Sequence, residues 1–120
     1  MTADVGAQMR KGVVEYCVLG LLARGPMYGW ELSERLIAEG LIASIGTLYP
    51  LLSRLRQSGW VRTFERPSES GPVRRYYELT EDGVRQLAQF RTSWTPFARS
   101  VAGLIAESPP AARATAEGEA

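Results

Sequence analysis

The apolar period of this chain changes from helical to strand-like at Ser58-Gly59, and that change limits the folds open to it more than any other feature. Before it, three amphipathic repeats follow one another. From Arg10 to Arg24, Val14, Cys17, Val18, Leu21 and Leu22 recur at the i, i+3, i+4, i+7, i+8 spacing of one helical face, and Gly25-Pro26 ends the run. A second stretch, "MYGWELSERLIAEG", aligns Tyr28, Leu32 and Leu36 at four-residue spacing and closes at Gly40, a C-terminal cap candidate. In the third, Ser44 stands as N-cap and Ile45, Leu48, Tyr49, Leu52 and Leu55 form the apolar stripe. Thr47, Pro50, Leu51, Arg54 and Gln57 are expected on the opposite, outward side.

After Ser58-Gly59 the text reads "WVRTFERP" and then "RRYYELT", two β-prone, aromatic-bearing runs joined by the turn material "PSESGP". The expected fold is therefore mainly α with a small β-hairpin. Three helices and a hairpin in this order make a winged helix-turn-helix. Thr80 can cap a further helix, with Glu81 and Asp82 complementing its dipole. Its apolar residues run through Val84, Leu87, Phe90 and Trp94 to Phe97, Val101, Leu104 and Ile105, and Pro96 is expected to kink or break it. A segment this apolar needs a partner surface. The expectation is a second copy of the chain, with Val14, Val18, Phe90, Trp94, Phe97, Val101 and Leu104 in the interface. Residues 1–9 and 108–120 read as a flexible tail and a disordered tail flanking a 10–80 winged unit and an 81–107 dimerisation helix.

The residue inventory excludes several kinds of chemistry. There is no histidine, one cysteine and no glycine-rich phosphate loop, so neither a metal site, nor a cofactor, nor Cys/His or Ser/His catalysis is expected. Cys17 reads as a core thiol. No apolar run reaches the ~20 residues of a membrane span, and the first nine residues lack a basic, then apolar, leader, so a cytoplasmic location is expected. The net charge is +1, but residues 41–80 carry an excess of three positive charges between slightly acidic flanks, as a nucleic-acid face on a neutral body would.

The stretches "KGVVEYCVLGLLARGPMYGWELSERL", "SIGTLYPLLSRLRQSGWV" and "GPVRRYYELTEDG" together resemble the PadR-like transcriptional regulators, in particular the short branch with a single C-terminal helical region. The likeness covers about residues 10–92, in the right order. It implies a homodimeric repressor of double-stranded DNA whose third helix enters the major groove and whose wing follows the backbone or minor groove, and it makes Pro50 an ordinary feature of that helix. Carried onto this chain, it marks Ser44, Thr47, Tyr49, Pro50 and Arg54 as helix contacts and Arg74, Arg75 and Tyr76 as wing contacts. Two readings stand for Tyr49, core packing or DNA. Arg56 is expected to snorkel beside the core. Of Arg74 and Arg75, and of Tyr76 and Tyr77, strand alternation should turn one member of each pair outward. Trp30 is read as structural. The resemblance also implies a flat aromatic effector at Trp94, against the reading that Trp94 simply packs. The rival function is a winged-helix module that binds a protein, its arginines a solvated surface.

Overall fold

A computed structural model describes residues 12–107; the two expected tails lie outside the described residues. The elements are α1 (Val14–Leu22), β1 (Met27–Tyr28), α2 (Gly29–Ala38), α3 (Ile45–Gln57), β2 (Val61–Ser68), β3 (Gly71–Leu79) and α4 (Glu81–Ile105). Contacts divide the chain into two units, Met1–Phe90 and Arg91–Ala120.

In the first unit the leucines of three helices meet. Val18, Leu19, Leu32, Leu36, Leu48, Leu52 and Leu55 are all within one per cent of complete burial. At roughly 1.5–3 kcal/mol per fully buried aliphatic side chain, this cluster drives the packing. Two of the helices stop in the same way. Gly40, at φ 74°, gives its N–H to Ile37 O (2.9 Å) while Leu41 N–H reaches Leu36 O (2.9 Å). Gly59, at φ 79°, and Trp60 repeat the pattern on Arg56 and Leu55. Both are Schellman caps, which need a left-handed residue just past the helix and so select glycine.

The hairpin is longer at its tip than its aromatic runs suggest, with Ser68 and residues 71–73 added to its strands, and a third strand that periodicity did not announce pairs with it. Met27 pairs with Tyr77 and Tyr28 with Tyr76, so the antiparallel order is β1-β3-β2. Tyr28 is thus a strand residue and the N-cap of α2, not part of that helix's stripe. Near the tip the β2–β3 register slips between Arg66 and Ser68, where Pro67 has no N–H to offer; β2 is an edge strand, where proline is tolerated.

Three expectations change here. Val14 and Val18 are 7% and 0% exposed, consumed by the chain's own core, and leave the proposed interface set. Leu51, expected outward, is 7% exposed, so the buried stripe of α3 is Leu48, Leu51, Leu52 and Leu55. Pro96 does not break α4: the helix is continuous from Glu81 to Ile105 with the proline inside it. In the second unit that helix bears Trp94 and Phe97, ring centroids 6.3 Å apart, followed by the exposed Val101, Leu104 and Ile105.

Candidate nucleic-acid interface

Recruiting Leu51 to the core rotates α3 by roughly 45° from the orientation that the Ile45-to-Leu55 stripe implies. The rotation decides which side chains stand where. Ser44 keeps its place as N-cap, with extended backbone and its carbonyl accepting Thr47 N–H at 3.1 Å, while its exposed hydroxyl makes no capping bond. Thr47 and Pro50 are exposed. Arg54 is also exposed but lies on the flank toward α1, where Nε and Nη2 reach Glu15 Oε1 at 3.1 and 3.0 Å. The centre of the outward face therefore passes from Arg54 to Pro50, Ser53 and Gln57.

On the opposite flank, Tyr49, Ser53 and Arg56 project one above another at i, i+4, i+7 and form one wall of a cleft of about 370 Å³. Arg74, Arg75 and Tyr77 of β3 form the facing wall, and Tyr28, Gly29 and Trp30 close the end. Tyr49 resolves toward the surface at 48% exposure, its ring laid against Gly29, where a Cβ would stand 3.1 Å from the phenolic oxygen. Arg56 is exposed on the cleft instead of snorkelling beside the core. Trp30, expected to be structural, is 55% exposed at the same cleft.

Strand alternation places Arg66, Phe64, Arg74 and Tyr76 on one face of the hairpin, with Tyr77 turned into the core at 6% exposure. On that face three rings cross the three strands: Tyr28 meets Tyr76 edge-on at 5.5 Å, and Tyr76 stacks with Phe64 at 5.5 Å. Arg74 lies 4.5 Å over Tyr28, and Arg66 lies 4.9 Å from Tyr76 and 5.3 Å from Phe64. Cation–π contacts of this kind hold a guanidinium in place without neutralising it. Arg74 and Arg75 both reach the cleft despite their alternation. Arg62, by contrast, is bonded to Glu78 at 2.8 Å. Among the described residues Arg56, Arg66, Arg74 and Arg75 have no carboxylate within ion-pair distance.

Of the residues expected to contact DNA, Ser44, Thr47, Tyr49, Pro50, Arg74 and Arg75 are exposed and Tyr76 is part-buried on the aromatic face of the hairpin. Ser53, Arg56, Arg66 and the Tyr28–Trp30 end were not among the residues expected there. A signal for the first two was present, since Tyr49, Ser53 and Arg56 share helical spacing. For Tyr28 there was none, because a two-residue strand leaves no periodicity. Phe90, placed in the interface set, is half buried and stacks on Tyr16 of its own chain at 4.1 Å.

No group of histidine, cysteine and acidic residues able to hold a metal ion occurs among the described residues, and no helix among them is long and apolar enough to cross a membrane. Burial holds the Cys17 thiol above its ordinary value of 9.0, the direction of a quiet core thiol.

Residues 18–89 match the family described as transcriptional regulator PadR-like. A transcriptional regulator of Mycobacterium tuberculosis is 31% identical over 96 residues, 80% of this chain and 89% of that protein. The crystal structure of a PadR-like transcriptional regulator from Bacillus cereus superposes with a TM-score of 0.77 at 36% identity, over 84% of this chain and 99% of that one. The crystal structure of Bacillus subtilis PadR in complex with operator DNA shares the fold, with a TM-score of 0.59 at 22% identity, over 82% of this chain and 50% of that one.

Proposed function

Because this chain belongs to the PadR-like family of transcriptional regulators, we propose that it is a repressor that binds a pseudo-palindromic operator as a homodimer. In this reading α3 lies in the major groove with Ser44, Thr47, Tyr49, Pro50 and, swung free of Glu15, Arg54 toward the bases and phosphates. The hairpin follows the backbone through Arg74, Arg75 and Tyr76. One observation carries it: arginines from α3 and from the hairpin converge on a single surface with no carboxylate among the described residues to neutralise them. Unneutralised guanidiniums close together repel, and the standard release of that repulsion is a polyanion. The operator complex of the like-folded Bacillus subtilis protein supports the same partner. An enzyme is excluded by the family.

The homodimer rests on α4. Trp94, Phe97, Val101, Leu104 and Ile105 are 40, 62, 38, 86 and 77% exposed and fall on one helical stripe. An exposed stripe of that kind on a helix calls for a partner surface. Two recognition helices about 34 Å apart would then meet successive major grooves, and occupancy would exclude polymerase. A small aromatic effector stacking at Trp94 would release DNA to the extent that it binds the DNA-incompetent dimer better.

The test is fluorescence anisotropy with the DNA upstream of the protein's own gene and random DNA of equal length, at several salt concentrations. Tight, selective and salt-steep binding is expected. Binding that is weak, flat in salt and equal for both DNAs would overturn the proposal in favour of a protein-binding winged-helix module.

A further inference from the structure

We propose that the cleft between α3 and β3 seats one phosphodiester of the DNA backbone, gripped from the helix by Arg56 and Ser53 and from the sheet by Arg74 and Arg75. This deepens the DNA-binding reading above and rests on it. It goes beyond that reading in making Arg56 a contact residue and in bringing helix and sheet to the same phosphate.

The chemistry of the walls is specific. Three guanidiniums line a space of about 370 Å³ together with the hydroxyls of Ser53 and Tyr49, and no carboxylate lines it. Each guanidinium is a planar donor fork suited to phosphate oxygens, and hydroxyls add short donors. Glu65, opposite Arg75 in the β2–β3 register, forms no ion pair with it. Three like charges around one hollow therefore lack a counter-charge among the described residues, and an anion in the hollow would supply it. The donors are also held in advance. Arg74 is fixed 4.5 Å over Tyr28, and Tyr28 is itself held by β1–β3 pairing and by its N–H on Glu31 Oε1 at 3.1 Å. Arg56 sits in the last turn of α3, whose end is locked by the Gly59 cap. Holding donors before the ligand arrives lowers the ordering cost of binding. A phosphate held by both elements would also fix how far α3 slides along its groove, since contacts of this kind set register.

The experiment uses the full-length chain and a labelled duplex bound by the wild type, titrated across salt. Because each substitution is present twice in a homodimer, Arg56→Ala and Arg75→Ala should each lower the slope of log affinity against log salt by about 1.8, one phosphate (~0.9) per protomer. The double variant should lower it by the same ~1.8, because both residues serve one phosphate in each protomer. Arg99→Ala, on α4, should leave it unchanged, and Arg56→Lys should recover most of the slope. Circular dichroism and urea midpoints equal to wild type would confirm that the variants are folded.

A double variant losing about 3.6 would mean two separate phosphates per protomer and overturn the shared seat. Wild-type slopes in both single variants would overturn the cleft while leaving the DNA reading intact, whereas a wild type that ignores DNA would remove both. A parallel arm replaces chloride with inorganic phosphate at constant ionic strength. Displacement of DNA only at high millimolar phosphate is expected; saturable displacement at micromolar phosphate, lost in Arg56→Ala, would assign the cleft to a free phosphate ligand and overturn the backbone assignment.

Discussion

Gly83→Ala offers the sharpest test of how the first unit is held together. Gly83 is buried in the first turn of α4, and a Cβ there would overlap the carbonyl oxygen of Trp60, stand 3.0 Å from its carbonyl carbon and 3.2 Å from Leu79 Cδ2. Two of these are backbone atoms that no rotamer change can move. The same carbonyl accepts Thr80 N–H at 3.1 Å, Thr80 Oγ1 donates to Gly59 O at 2.6 Å, and Gly83 N–H donates to Thr80 Oγ1 at 3.1 Å. Alanine would by itself favour the helix and reduce unfolded-state freedom, a gain of about 0.4–1 kcal/mol. Against it stand overpacking, about 1–3 kcal/mol, and loosening of bonds in the Thr80 junction, about 1 kcal/mol each. The clash wins, and a net loss of about 2–4 kcal/mol is expected. With urea m-values of about 1–3 kcal/mol/M, the unfolding midpoint followed by tryptophan fluorescence should fall by roughly 1–2 M at fixed protein concentration. A midpoint equal to or above wild type would refute the close approach of helix and sheet at Trp60.

Four further outcomes follow from the same geometry. Gly29→Ala presses only on the movable Tyr49 side chain, with the nearest atom at 3.1 Å, so stability should drop by less than about 1 kcal/mol in urea unfolding while DNA affinity falls; unchanged affinity would detach Tyr49 from the site. Arg54→Ala removes an exposed ion pair with Glu15 and should cost about 0.2–1 kcal/mol, and Glu15→Gln should free Arg54 and raise DNA affinity in anisotropy. Leu104→Asp, at a position 86% exposed, should leave the circular dichroism spectrum unchanged but give monomers in sedimentation; an unaltered dimer would take α4 out of the interface. The folded Cys17 thiol titrates above its unfolded value, so the folded state favours the protonated form. Stability should be indifferent to this group well below pH 9 and decline as pH rises through the unfolded value of 9.0 toward the folded one, and iodoacetamide should label native protein at pH 8 more slowly than urea-unfolded protein.

Much of the architecture was legible because the chain marks its own boundaries. Glycines that cap two helices, a change of period at Ser58-Gly59 and the turn run before Arg74 are local signals, and local physics enforces them. The orientation of α3 was not legible in the same way. Tyr49 and Leu51 sit on opposite flanks of the Leu48–Leu52–Leu55 row, and periodicity alone does not say which flank the neighbouring elements will cover. The sheet settles it by leaving Tyr49 at an open cleft, while Leu51 is buried on the other flank. Val14 and Val18 looked available for a second copy because a helix pattern does not reveal that its own domain will use the whole stripe. Gly83 closes the stretch "GPVRRYYELTEDG" that carries the family resemblance, but the reason for a glycine there, the carbonyl of Trp60 pressed against it, is a tertiary contact that only the fold exposes.

The pairing of β1 with β3 also bears on the order in which the molecule assembles. The three helices and the β2–β3 hairpin each close over short stretches of chain, but Tyr28 must find Tyr76 across nearly fifty residues. Closing a loop of that length costs about 3–4 kcal/mol in chain entropy beyond a constant, against two residue pairs of return. That pairing is therefore expected to form after the helices and hairpin have condensed. Tyr28 carries Arg74 and closes the end of the cleft, so the last step of folding is also the one that finishes the arginine cluster. A nascent or partly unfolded chain would hold its helices yet grip no phosphate, and competence to bind would itself report that folding is complete.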